Sequence, residues 1–210
     1  MAERTIIMGD VHGCIDELQE MIGTIDYRPS EDRLIFIGDL VNKGPASREV
    51  FEYFLTLEAE SILGNHEWYL IEQARARKQT WPSYKRLRKE FGTTFDSFVE
   101  TVETWPLFIR GEGFTAVHAG KVPDETLEES SARDLTNIRT WGKKSKPWFD
   151  FYEDPELIVF GHWASLGGLD RPNVVGLDTG CVYGGALSAL VLPERKILRI
   201  PAKKIYCPIS

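Results

Sequence analysis

Cysteine is scarce in this sequence. It occurs three times in 210 residues, at Cys14, Cys181 and Cys207, and never in a Cys-x-x-Cys pair. So few and so scattered, the cysteines exclude a disulfide framework and are expected to be reduced and structural. Long apolar runs are missing too. No stretch reaches the roughly 18 residues that a membrane-crossing helix needs, and the first residues lack a basic segment leading into an apolar one. The expectation is a soluble, cytoplasmic protein with no membrane partner. Positive charge is in deficit: 25 Lys and Arg face 32 Asp and Glu, and the net −7 argues against stable nucleic-acid binding while leaving room for a local phosphate-handling patch. Solenoid-type repeats, low-complexity tracts and linkers are also lacking. At 42% hydrophobic and 27% charged, residues 1–210 are expected to form one globular domain that buries about 70% of its unfolded surface.

What is present is a repeated ending. Leu34-Ile35-Phe36-Ile37-Gly38-Asp39 is an apolar run that stops in glycine and then a carboxylate. A buried strand ending this way presents Asp39 at the carboxyl edge of a sheet, where ligands bind in open α/β sheets. Thr5 to Gly13 precedes it with Gly9-Asp10-Val11-His12, and Ser61 to Glu67 follows with Gly64-Asn65-His66. A single Gly-Asp after a strand is ordinary turn chemistry, but three copies with histidines attached point to a metal or catalytic edge.

Between these endings, Ile15 to Ile25 and Ala46 to Leu57 carry apolar residues on one helical face, the latter with Pro45 at its start, so the opening reads as two βαβ units. A helix is expected from Glu67 to about Lys89 with a break at Trp81-Pro82, and another from Thr93 to Thr104. Arg75 to Lys89 holds seven basic residues and no acid, so the rest of the chain carries −14 to reach the total of −7. This segment reads as a solvated helix surface or as an overhang above the site. A hairpin is expected at Leu107–Arg110 and Phe114–His118, and loops at Asp124–Ser131 and Lys143–Pro155. Strands follow at Leu157–Phe160 and Val174–Leu177, and a closing hairpin pairs Ala186–Leu192 with Lys196–Ile200.

The chain has only four histidines, and each follows an apolar strand: His12, His66, His118 and His162. A lone histidine is more often structural than a ligand, but four of four at strand ends reverses that expectation. With Asp10, Asp39 and Asn65 they supply enough nitrogen and oxygen ligands for two divalent ions, and no cysteine lies among them. A carboxylate bridging two such ions would hold them ~3.5–4 Å apart and create a hydroxide nucleophile near neutral pH.

Gly9-Asp10-Val11-His12-Gly13, Gly38-Asp39-Leu40-Val41-Asn42-Lys43-Gly44, Gly64-Asn65-His66-Glu67, His118-Ala119-Gly120 and Gly161-His162 resemble the five motifs of the calcineurin-like metallophosphoesterases, in the phosphoprotein phosphatase branch. The likeness implies an α+β fold, a four-layer β-sandwich flanked by helices. It also implies one metal on Asp10, His12 and Asp39, a second on Asp39, Asn65, His118 and His162, and His66 as the group that protonates the leaving oxygen. Manganese is the first expectation, with iron, zinc, cobalt, nickel and magnesium as alternatives. Lys43 stands where the branch usually has Arg and keeps a cation without the bidentate fork, and Arg139 matches a second phosphate-binding Arg. Gly161 to Leu166 and the neutral Asn42 resemble symmetrical diadenosine tetraphosphate hydrolases. Glu67 in place of their usual Asp and the short chain depart from them, and Asp134 to Arg139 resembles a small bacterial serine/threonine protein phosphatase. The expected activity is therefore two-metal hydrolysis of a dinucleoside polyphosphate, with Lys43, Arg139 and Asn42 on the substrate. A phosphoprotein substrate is the alternative, and an inactive binding module a third reading.

Overall fold

Along β1 (Arg4–Met8) the side chains of Ile6 and Met8 point one way and Ile7 the other, and all three are fully buried. A strand apolar on both faces must lie between two packed layers. The computed structural model describes residues 4–208, and its strands build two facing sheets. After β1 come α1 (Ile15–Ile25), β2 (Asp32–Phe36), α2 (Ser47–Thr56), β3 (Glu60–Ser61), α3 (Asn65–Arg75), α4 (Pro82–Phe91) and α5 (Phe95–Glu103). The hairpin β4 (Phe108–Gly111) and β5 (Phe114–Val117) leads to α6 (Ala132–Asn137) and to a small ribbon of β6 (Thr140–Trp141) and β7 (Lys146–Pro147). The chain closes with β8 (Leu157–Phe160), β9 (Leu169–Arg171), β10 (Val174–Gly176), β11 (Asp178–Thr179), β12 (Ala186–Leu192) and β13 (Lys196–Pro201).

The first sheet runs β11-β12-β1-β2-β3, with β13 also paired to β12, and the second runs β4-β5-β8-β10-β9. Within them β1, β2 and β3 are parallel neighbours, as are β5, β8 and β10. Ile7, Ile35, Phe114, Val159 and Leu190 fill the space between the sheets. Ile6, Met8, Leu34 and Phe36 face the other way, onto α1 and α2 and the Phe51, Phe91 and Phe98 cluster. Beyond the second sheet lies a thinner outer layer, in which Leu127, Leu135, Trp148 and Phe149 cover Ile158 and Phe160. Helices, two sheets and this cover make the four layers of the expected α+β sandwich.

Three details differ from the sequence reading. The helix expected from Glu67 starts at Asn65 and stops at Arg75, and α4 begins afresh at Pro82, where a proline that lacks an N–H suits a first turn. Residues 143–155 are not simply an irregular loop: they contribute β7 and bury Trp148 and Phe149, whose rings cap the second sheet. The segment read as a loop because period alone does not reveal a loop that folds back as cover. Finally, β3 is only two residues long; the Ile62 N–H still donates to the Phe36 carbonyl at 3.1 Å, and Leu63 then bonds to Pro106 instead of β2.

Candidate metal centre and active site

All six parallel strands end at the same edge of the sandwich. β1, β2 and β3 lead to Asp10, Asp39 and Asn65, while β5, β8 and β10 lead to His118, His162 and Asp178. The two sheets are stitched together there: the His162 backbone N–H donates to both Asp10 oxygens at 3.2 and 3.1 Å, and His118 Nδ1 donates to the Ile37 carbonyl at 2.7 Å. Glycine is required at two of these turns because a Cβ on Gly64 would strike the Asp39 carboxylate, and one on Gly161 would strike that of Asp10. Backbone strain concentrates here as well. His12, Asp39, Asn42, Lys43 and His162 have φ of 48°, 52°, 73°, 63° and 63°, in the left-handed region that non-glycine residues rarely occupy.

Hydrogen bonds fix the histidine tautomers. Val41 O lies 3.1 Å from His12 Nδ1 and Ile37 O lies 2.7 Å from His118 Nδ1; a carbonyl only accepts, so both rings carry their proton on Nδ1 and turn a bare Nε2 into the site. His118 Nε2 then faces Asn65 Oδ1 at 3.1 Å, two acceptors with no proton between them. Asp39 Oδ2 lies 3.4 Å from His12 Nε2 and 3.6 Å from His118 Nε2, and Asn65 Oδ1 is also 2.9 Å from His162 Nδ1. Lone pairs facing one another in a buried site call for cations between them, and a set of imidazole, carboxylate and amide oxygen donors suits divalent ions. Asp10, Asp39 and His118 form one group able to hold an ion, and His12 and Asp39 converge in another beside His66.

His66 is wired differently. Arg86 Nη2 donates to Asn42 Oδ1, and because a guanidinium has no acceptor, this bond fixes which end of the amide is oxygen. Asn42 Nδ2 therefore faces His66 Nδ1 at 2.5 Å and donates to it, which leaves the His66 proton on Nε2, 3.8 Å from Asp39 Oδ2. Two histidines offer lone pairs to the site and this one offers a proton.

The charges follow burial. Burial, with Asp178 and Asp39 beside it, raises the Asp10 carboxyl well above its usual range, and burial pushes Asp39 up to about 7. Burial likewise holds the imidazoles neutral: His118 falls to about 4, His162 to about 2, and His66 and His12 well below 6.5, with Lys43 adding to the burial effect on the last two. Neutral imidazoles are the form that binds metal.

The structure brings all six expected ligands together with His66. Lys43 Nζ sits 2.8 Å from His12 Nε2, and Arg139 donates to the His162 carbonyl at 3.3 Å. Both line a cavity of about 520 Å³ beside the centre, together with His162, Ser165, Asp178 and Tyr183. Asn42 is 3% exposed and lies behind His66, off the cavity wall. The roles of two residues escaped the sequence reading. Asp178 is buried beside Asp10 and Asp39, and the signal for it was there, since Val174 to Leu177 is another apolar run ending in Asp. Glu67, fully buried, accepts from the backbone N–H groups of Asp39, Val41 and Gly64 at 2.7, 3.3 and 3.2 Å, and so holds the Asp39 turn against the start of α3.

Residues 3–194 match the model of the family described as calcineurin-like phosphoesterase. The chain belongs to that family. Membership makes this phosphoesterase a hydrolase whose family chemistry uses divalent metal ions, which the donor set above suits. It is 28% identical to the symmetrical bis(5'-nucleosyl)-tetraphosphatase of Aromatoleum aromaticum, with 94% of this chain and 96% of that protein covered. The enzyme of the same name from Acidovorax ebreus is 30% identical, over 87% and 90% of the two chains. The first alignment runs over 263 positions, more than the 210 residues of the phosphoesterase, so insertions separate the two. A crystal structure provisionally assigned as a diadenosine tetraphosphatase superposes with a TM-score of 0.85 at 31% identity, over 96% of both chains. A cold-active protein-tyrosine phosphatase of Shewanella superposes at 0.66 with 16% identity, a likeness of fold alone. No described helix of the phosphoesterase is long and apolar enough to cross a membrane.

Proposed function

We propose that this phosphoesterase, acting as one domain over residues 1–210, hydrolyses the phosphoric anhydride chain of dinucleoside polyphosphates, as the names of its relatives suggest. The Arg86–Asn42–His66 chain carries the reading. A neutral Nε2–H is a far weaker acid than an imidazolium. It is sufficient for a nucleoside diphosphate, which leaves as a stable anion, and insufficient for a serine alkoxide, which needs a full proton.

Asp10, His12 and Asp39 would hold one divalent ion and Asp39, Asn65, His118 and His162 the other, with manganese as the first candidate and the cytoplasm as the compartment. When bound, two such ions supply Lewis-acid polarisation of the phosphoryl oxygens and lower the pKa of water towards neutrality. Lys43 stays cationic there: burial opposes its charge, but Asp39, Tyr183 and Asp10 outweigh it and raise its pKa. Lys43 and Arg139 bind the phosphate chain from the cavity wall and orient the scissile phosphorus. Water attacks that phosphorus in line, no phosphoenzyme forms, and His66 Nε2–H supports the departing oxygen. Ala164 and Ser165, part of the tetraphosphatase-like Gly161–Leu166 motif, line the same cavity.

The test is parallel turnover of diadenosine tetraphosphate and a phosphoserine peptide by the Mn²⁺-loaded protein. The expected outcome is rapid conversion of the dinucleotide to ADP alone and slow turnover of the peptide. Preference for the peptide would instead identify a protein phosphatase, and no turnover of either an inactive binding member.

A further inference from the structure

The proton donor is not part of the wall of the cavity beside the metal centre. Lys43, Arg139, His162 and Tyr183 line the cavity, and His66 does not. His66 instead opens onto aromatic rings: its centroid is 6.0 Å from that of Trp81, Trp81 is 6.3 Å from Tyr69, and Tyr69 is 5.0 Å from Trp68. These rings belong to α3 and to the residue just before α4, and none is fully buried. Tyr69 is 39% exposed, a large aromatic surface left in water beside the site. Its hydroxyl reaches Asn137 at 3.5 Å, two residues before Arg139, so the ledge borders the centre rather than standing apart from it. Core packing accounts for one side of Trp81 and gives no reason for the Tyr69 surface.

We propose that Trp81 and Tyr69 form the binding ledge for the base of the leaving nucleotide. The inference rests on the dinucleoside polyphosphate reading and fixes the direction of the substrate. The group that supports the departing oxygen stands on the leaving side of the scissile bond, so the departing nucleoside diphosphate extends past His66 and its base lies on Trp81 and Tyr69. The retained half lies in the cavity, its phosphates on Lys43 and Arg139. Bases of either kind stack on aromatic rings, so the ledge recognises a nucleobase by its face and discriminates weakly between adenine and guanine.

Inorganic tetraphosphate, which has the anhydride chain and no bases, is the comparison substrate. Stacking on aromatic side chains changes affinity by about 5- to 150-fold per base. Trp81→Leu and Tyr69→Leu should therefore raise KM for diadenosine tetraphosphate within that range with little change in kcat, leave both constants for inorganic tetraphosphate within about 2-fold, and be rescued by Trp81→Phe. Tyr69 is exposed, so Tyr69→Leu folds even if Trp81→Leu does not. Equal effects on both substrates, or none on the dinucleotide, would overturn the ledge. Wild-type protein that fails to cleave the dinucleotide would overturn the function instead. ADP binding measured by titration calorimetry then decides the ledge without turnover: weaker binding by Tyr69→Leu supports it, and unchanged binding refutes it.

Discussion

Asn42→Asp is the substitution that most directly probes the proton donor. The side chain is isosteric, one oxygen can keep Arg86, and the other takes the place of the Nδ2 that lies 2.5 Å from His66 Nδ1. A carboxylate cannot donate, so His66 must move its proton to Nδ1 or carry two. At about 4 Å between charge centres and an effective dielectric near 20, the new pair gains ~4 kcal/mol. Arg86 already neutralises part of the carboxylate, and burial, which holds His66 well below 6.5 in the wild type, still opposes the imidazolium. A rise of ~1–2 pH units at His66 is the result, at the lower end of what one opposite charge achieves. The protonated form then persists to higher pH, so the range over which an imidazolium serves as the acid extends upward by the same amount. Because general acid catalysis contributes about 10²- to 10⁴-fold, even partial gain should raise kcat on a phosphoserine peptide by roughly 10-fold, while turnover of diadenosine tetraphosphate changes by less than about 3-fold. The assay is the full pH profile on both substrates, with metal content measured alongside. An unchanged activity ratio and profile in protein that retains its metals would refute the argument.

Asp39→Asn removes the carboxylate on which His12 and His118 converge, and elemental analysis should find bound metal reduced from about two ions per chain towards one or none; two tightly held ions would show that Asp39 is not shared. The basic segment should divide by function: Lys85→Glu with Lys89→Glu, both exposed, should raise KM for the polyphosphorylated dinucleotide more than for a small phosphomonoester, whereas Arg86→Gln should lower kcat about 10-fold or more on both by freeing the Asn42 amide. Away from the site, two hydrogen bonds from the Arg4 guanidinium and one from Arg28 N hold Asp32 below its usual 3.8. A lowered carboxyl pKa gives stability that is present above the unfolded value and lost as pH falls through the native one. Asp32→Asn should therefore cost ~1.5–3 kcal/mol by denaturant titration at pH 7 and progressively less below pH 4.

The site was legible in the sequence because its ligands follow apolar runs, and the parallel strands that those runs form must end at one edge. Asp10, Asp39, His118 and His162 are paired with their strands by the sequence pattern alone. Glu67 was harder to see, since its work is to accept three backbone N–H groups, and no pattern of residue types records where backbone donors converge. The particular role of Arg86 was hidden for a similar reason. Grouped with its charged neighbours in Arg75–Lys89 it read as solvated surface or as part of an overhang above the site, whereas one guanidinium bond across 44 residues of sequence separates its role from that of Lys85 and Lys89. Trp81 was recognised only as a helix break, because sequence does not show which ring will lie against His66.

The stitch between the two sheets also bears on how the protein is made. Asp10 receives its backbone hydrogen bonds from a residue 152 positions later, and β1 pairs on its second side with β12, later still. At about 5–20 residues per second, the ribosome needs roughly 8–30 s to deliver His162 after Asp10 has been joined to the chain. Until then β1 lacks its β12 partner and Asp10 lacks the backbone donor from His162. The donors that follow β1, β2 and β3 make half a cage, and His118 and His162, which complete it, are supplied by the second sheet.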